Sequence, residues 1–275
     1  MTDQITLPLS FHTGFLSDLP VLEAVRKIRD HGYEMVELNG ELLPWGPAHI
    51  TPDTPRAVID KLAGMGPYSA LCIHHCDFGS SRDDRRDAAL AWGREMMDRA
   101  VDLGIGLVHV IPGEETGIAA LHRSLAVAVE DAERRGLTLA LEAIVGRQIG
   151  TVKTALAALE AAPGLKINFD PSHYHPMGDD TTEAAKALLP HIAHVHLKDA
   201  VGGPEDFRFV PLGAGGIDLT AMLRVLLEGG YRGAVSIEHE SHFFAGDARG
   251  ADEVLRDCRA DFDALMARAQ GAPVV

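Results

Sequence analysis

Eight short runs of strand type alternate with longer stretches of helical type along this chain, and that alternation limits its possible folds more than any other feature. The runs are ITLPLSF (5–11), YEMVEL (33–38), YSALCIHH (68–75), GLVHVI (106–111), LTLALEA (137–143), LKINFD (165–170), IAHVHL (192–197) and AVSIEH (234–239). Most are apolar and rich in β-branched residues, as expected of strands buried on both faces. Between them, 83–104, 117–136 and 218–230 carry apolar residues at three-and-four spacing and stop at or near glycine. Eight strand–helix repeats in 275 residues are the size of a closed (β/α)₈ barrel, whereas a doubly wound sheet would need fewer strands. No linker interrupts the series, so residues 1–275 read as one α/β domain.

Composition narrows the partners. A hydrophobic fraction of 46% is enough for a substantial core, and a formal charge of −15 argues against nucleic acid or an anionic membrane as the main partner. No apolar run approaches the length of a membrane span. The opening MTDQITLPLS lacks the basic and apolar regions of a signal peptide. Cys72, Cys76 and Cys258 form no metal-type CxxC pair, and Cys72-x-x-x-Cys76 reads as two reduced thiols rather than a zinc knuckle. A reducing cytoplasm is the expected location.

In a barrel of this kind the carboxyl ends of the strands carry the chemistry. Reading them in order gives Glu142 on strand five, Asp170 on six, His196 on seven and Glu238 on eight. Each has a bland alternative: Asp170 precedes Pro171 and could cap a turn, and His194 shares a face with His196. Four successive strands delivering Glu, Asp, His and Glu to one rim are more telling than any member. Three carboxylates brought together repel one another and hold protons unless a cation joins them. The expectation is one divalent metal bound by Glu142, Asp170, His196 and Glu238. The oxygen-rich set points first to Mn²⁺ or Mg²⁺, with Co²⁺, Fe²⁺ or Zn²⁺ as alternatives.

Other rim residues are candidates for substrate binding. His173 follows Asp170 closely, with His175 competing for that role. Glu37, His75 and His109 end strands two to four, where they either bind hydroxyls or serve as structural polar groups; His12 follows strand one similarly. Lys198, Asp199 and Arg208 lie beyond strand seven; a cation there could neutralise an oxyanion, the alternative being a local Lys198–Asp199 ion pair. Trp45 lies in the long loop 39–53 as a stacking wall or a subunit contact. The stretch 211-PLGAGGID-218 reads as a turn with an Asp218 cap rather than an anion nest.

The segments YEMVEL (33–38), LALEA (139–143), NFDPSH with His173, HVHLKD (194–199), PLG (211–213) and YRGAVSIEHE (231–240) resemble the sugar phosphate isomerase/epimerase superfamily, the xylose-isomerase-like TIM barrels. The likeness spans essentially the whole chain and fixes the superfamily better than the substrate. It implies a metal-dependent epimerase or isomerase of a ketose or keto-sugar, working through a metal-stabilised enediolate, as in ketose 3-epimerases and 3-keto-glycoside epimerases. Glu142 and Glu238 would then be catalytic, exchanging the substrate proton, while His173 binds substrate near the metal. It also implies a homodimer or homotetramer and a small-molecule sugar partner. Mn²⁺ is the first choice of metal. An inosose-type dehydratase or lyase is the enzymatic alternative, and a non-catalytic metal-dependent sugar-binding barrel is the alternative outside enzymes.

Overall fold

A computed structural model describes residues 6–41, 47–113, 117–240, 243–244 and 247–271. The strands β1 (Leu9–Phe11), β2 (Val36–Asn39), β3 (Tyr68–Cys72), β4 (Leu107–Val110), β5 (Thr138–Glu142), β6 (Lys166–Phe169), β7 (Ile192–Leu197) and β10 (Val235–Ile237) lie in one parallel sheet. Its order is β1-β10-β7-β6-β5-β4-β3-β2, and a bridge between His12 and Glu37 joins the two end strands. The chain is therefore a single, nearly closed TIM barrel. Its strands follow the runs seen in the sequence, trimmed by a few residues at their ends.

Around the sheet lie α1 (Val21–Asp30), α2 (Arg56–Ala63), α3 (Asp83–Asp102), α4 (Ile118–Glu133), α5 (Val152–Ala161), α6 (Pro171–Tyr174), α7 (Thr181–Leu188), α8 (Leu219–Glu228) and α9 (Ala251–Ala269). Helix α3 buries Ala89, Gly93, Met96, Met97 and Ala100, the helical spacing that makes one face apolar. Asp180 caps α7 by accepting from the Thr182 and Glu183 N–H groups, and Thr151 with Thr154 closes a capping box on α5. Among the described residues no helix is long and apolar enough to cross a membrane.

The strands differ from their sequence reading in one respect. Phe11, Val36, Leu38, Val108, Leu139, Phe169, Val195 and Ile237 share one apolar cluster with helix residues such as Val25 and Leu121. The alternate positions Ser10, Glu37, His109, Asn168, His194 and Ser236 are equally buried but polar. The strands are thus apolar toward the helices and largely polar or small on the alternate face, as a two-residue period requires. The polar inner set supports the site above it.

Beyond β7 the chain makes an antiparallel hairpin, β8 (Asp199–Val201) with β9 (Arg208–Val210), that the sequence did not suggest. Asp199 anchors it from within: its carboxylate accepts from the backbone N–H of Ala200 (2.9 Å), Gly215 (2.9 Å) and Ile217 (3.3 Å). Gly215 is required there, since a Cβ would lie 2.0 Å from Asp199 Oδ1. The glycine loop 211–218 therefore does cradle an anion, the chain's own Asp199. Asp218 caps α8 through the Ala221 N–H at 2.9 Å, as expected.

Candidate active site

The site begins with local sequence. In 170-DPSH-173, Pro171 opens a short helical turn whose N-cap is Asp170. Asp170 Oδ1 accepts from the Ser172 N–H at 2.8 Å, which fixes the carboxylate and leaves Oδ2 aimed inward. One turn on, His173 Nδ1 receives the Val145 N–H at 3.3 Å, so Nε2 carries the ring's proton in the neutral form. That Nε2 lies 3.5 Å from Glu142 Oε1 and 3.6 Å from Asp170 Oδ2. Asn168, paired with Glu142 across β5 and β6, donates to Glu142 Oε2 at 2.9 Å.

Across the barrel, His196 Nδ1 stands 3.2 Å from Glu142 Oε2 and 3.6 Å from Glu238 Oε2. One ligand atom each from Glu142, Asp170, His196 and Glu238 lies within 4.8 Å of all the others. This is the group that the strand ends singled out. Its chemistry fits a divalent cation on two further observations. His196 Nδ1 is buried and takes no hydrogen bond. The Lys198 ammonium sits against the same carboxylates, 3.1 Å from Asp170 Oδ2, in contact with Glu238 Oε2 and 2.8 Å from Glu240 Oε2.

The electrostatics follow from burial and these neighbours. Burial opposes ionisation of Glu142, yet His196 and His173 hold its carboxyl well below the usual range. Burial likewise opposes Glu238, and Lys198 with His196 overrides it. Lys198 is pushed well above the ordinary lysine value by Asp170, Glu238 and Glu240, against its own burial. Burial raises Glu240 to about 7, with Lys198 drawing it down and Glu238 pushing it up. Glu41 is raised by burial and by the nearby Glu238 and Glu142 charges.

A cavity of about 390 Å³ opens above this group. Glu142, Glu238, Lys198, His173, His109 and His12 line it, as do Glu41, His74 and Glu240. Its apolar side is formed by Ile111, Ile144, Val145 and the rings of Phe207, Phe209 and Phe243. Phe209 meets His173 edge-on at 5.1 Å and takes the Lys198 ammonium at 4.3 Å from its ring centre.

Several expected contacts are not made. Glu37 is fully buried below the cavity and bonded to histidines, so it has no access to a substrate. His75 caps the turn Cys76–Gly79 by accepting from the Asp77 N–H at 3.2 Å and packs on Trp92. His74, two residues beyond the cavity-lining Cys72, takes the position expected of His75. Arg208 is exposed because Phe207 and Phe209 turn toward the cavity, and it borders a separate hollow with Val210 and Arg249. Lys198 pairs with Asp170, Glu238 and Glu240 rather than Asp199. Trp45 lies outside the described residues.

Sequence reasoning missed Glu41, His74 and Glu240. The signal for two of them is simple parity, since Glu240 stands two after Glu238 and His74 two after Cys72.

Two of these histidines predict an acid sensitivity. Burial pushes His74 down to about 3 and His12 down to about 4, from an ordinary value of 6.5. The unfolded chain therefore binds more protons than the folded one below that value. Their stabilising contribution is complete above about pH 6.5 and is lost as pH falls toward 4 and then 3. Thermal unfolding of chelator-treated protein is expected to show a falling Tm over this range, the two histidines together accounting for up to about 8 kcal/mol at about 1.4 kcal/mol per pH unit per proton. A His74→Leu variant should show a shallower fall; an unchanged slope would remove His74 from the account.

With the geometry in place, the chain can be compared with known proteins. The profile of the family described as "Xylose isomerase-like TIM barrel" matches residues 25–259. The chain belongs to that family. It is 26% identical over 253 residues to the putative L-ribulose-5-phosphate 3-epimerase SgbU of Escherichia coli, covering 83% of this chain and 86% of the relative. It is 29% identical over 234 residues to a 3-dehydroshikimate dehydratase of Pseudomonas aeruginosa, covering 78% of this chain but 35% of that longer protein. Among solved structures, the IOLI protein with a bound zinc atom superposes with a TM-score of 0.77 at 21% identity, covering 96% of this chain and 99% of the other. That last likeness concerns the fold.

Proposed function

We propose that this family member is a divalent-metal-dependent epimerase or isomerase of a ketose or keto-sugar. The observation that carries the reading is the convergence of Glu142, Asp170, His196 and Glu238 in one close group, of which Glu142 and Glu238, both held ionised, line the cavity. The likeness to the putative L-ribulose-5-phosphate 3-epimerase, over 83% of this chain, supports it. The same four residues would hold the cation, with Mn²⁺ the first choice. When bound, it would polarise the substrate carbonyl and stabilise negative charge on oxygen.

The chain's own groups account for the rest. Glu142 and Glu238 extend from β5 and from the end of β10, so they can address a bound carbon from different sides. One carboxylate removes the proton beside the carbonyl, giving an enediolate, and the opposite face is reprotonated through the other carboxyl, which takes up a solvent proton while the substrate is bound. His173, with Nε2 beside Glu142, is placed to donate to a substrate oxygen. The phenylalanine wall excludes water from the deprotonated carbon and packs on the C–H face of the substrate.

A dehydratase is the second reading, favoured by the Pseudomonas aeruginosa relative and by Glu240, whose carboxyl burial raises so that it could protonate a departing hydroxyl. A screen of ketoses, ketose phosphates and keto-glycosides in D₂O with Mn²⁺ separates the two. Deuterium entering the carbon beside the carbonyl, with the carbon count and hydroxyls retained, is the expected result. Loss of water points to the dehydratase, and no exchange into any of them sinks both.

A further inference from the structure

Below the cavity floor, Glu37 is wholly enclosed, and a buried carboxylate costs several kcal/mol unless fully compensated. Its compensation comes from three imidazoles. His109 Nε2 lies 2.6 Å from Oε1, His194 Nε2 lies 3.0 Å from Oε2, and His196 Nε2 lies 2.9 and 3.1 Å from the two oxygens. The partners are 72, 157 and 159 residues away in sequence, on two other strands. An ionised carboxylate only accepts, so each ring must present Nε2–H to it. For His196 this has a consequence at the other end of the ring. With Nε2 committed to Glu37, the nitrogen left to a cation is Nδ1, the buried atom that faces Glu142 and Glu238 at 3.2 and 3.6 Å. His109 repeats the pattern, with an unpartnered Nδ1 3.8 Å from Glu142 Oε2.

We infer that Glu37 is a positioning residue that fixes the tautomer and ring orientation of His196, and so decides which nitrogen the four-residue group offers to a cation. Carboxylates bonded to the far side of a ligating histidine commonly act this way, and their loss weakens metal affinity by about 10–100-fold. Here one carboxylate serves three rings at once. A glutamine at this position would offer one accepting oxygen and one donating NH₂. The NH₂ would meet an imidazole N–H, so at least one ring must rotate or move its proton.

The part of this inference that concerns cation affinity rests on the proposed metal centre; the tautomer assignment does not. The test uses full-length protein with ¹⁵N-labelled histidine, Zn²⁺ as a diamagnetic probe, and three readouts. Long-range ¹H–¹⁵N spectra of the wild type are expected to show Nε2 of His109, His194 and His196 protonated with and without zinc, and zinc to shift Nδ1 of His196. Glu37→Gln should bind zinc 10–100-fold more weakly by chelator competition, with at least one altered ring signal. Glu37→Asp, which keeps two accepting oxygens, should recover part of the affinity.

Protonation of His196 on Nδ1 alone in the wild type overturns the inference. So does a Glu37→Gln variant that binds zinc within twofold of wild type. A second zinc equivalent that disappears in Glu37→Gln also overturns it, since Glu37 would then be a ligand. If wild type binds no zinc, the metal centre fails while the ring signals still decide the tautomer. If Glu37→Gln does not fold, the wild-type spectra and Glu37→Asp decide it, thermal unfolding separating lost stability from lost affinity.

Discussion

Glu142→Gln is expected to lower solvent deuterium exchange into one epimer of the substrate by about 10²–10⁴-fold, the range for removing a positioned acid or base. Glutamine preserves the shape and can still receive the Asn168 amide, which donates to Glu142 Oε2 at 2.9 Å. It cannot take a proton at the operating pH. Two-base chemistry makes the result diagnostic. If Glu142 serves one face and Glu238 the other, Glu142→Gln silences exchange starting from one epimer and Glu238→Gln silences it from the other. Both variants lose epimerisation itself. NMR of each epimer in D₂O, with saturating Mn²⁺ to offset weakened binding, reads the two faces separately. Exchange from both epimers surviving in Glu142→Gln would remove that residue from the chemistry.

The ends of the strands were legible because barrel strands are short and their order along the chain is their order of approach to the rim. Glu142, Asp170, His196 and Glu238 could be found without knowing any contact. Depth was not legible. Glu37 has the same strand-end appearance as Glu142, yet it sits beneath the cavity, and only its distant partners His194 and His196 reveal this. A two-residue period gives the face of a residue and not its layer. Phase was lost where strands stopped early: β3 ends at Cys72, so extending it to residue 75 exchanged His75 for His74.

The hairpin around 202-GGPEDF-207 was hidden because its strands are three residues each and their pairing is with each other. Its alternation turns Phe207 and Phe209 inward and leaves Arg208 outside, the reverse of what a search for a rim cation suggests. Lys198 was visible as a charge, but its three partners on two other segments were not.

His196→Ala should reduce bound transition metal from about one per chain to near none after desalting, and should also destabilise the metal-free protein. The two effects have separate causes, which a neighbouring residue can separate. Removing His196 takes away the nitrogen donor of the four-residue group, leaving three carboxylates whose preference moves toward hard ions such as Mg²⁺. It also deprives Glu37 of a bond to each of its oxygens. Removing one partner of a buried charged pair costs about 3–5 kcal/mol.

His194 shares only the second role: its Nε2 bonds Glu37 Oε2 at 3.0 Å, and it is not one of the four grouped residues. His194→Ala is therefore expected to lower Tm comparably while retaining metal. Elemental analysis of both variants beside wild type, with titration of Mn²⁺ and Mg²⁺ into the emptied protein, makes the comparison. Metal lost equally in both variants would mean that the whole histidine–Glu37 cluster, rather than His196 Nδ1, sustains the centre. Metal retained in both would leave His196 a structural histidine, and the epimerase proposal would lose its Lewis acid.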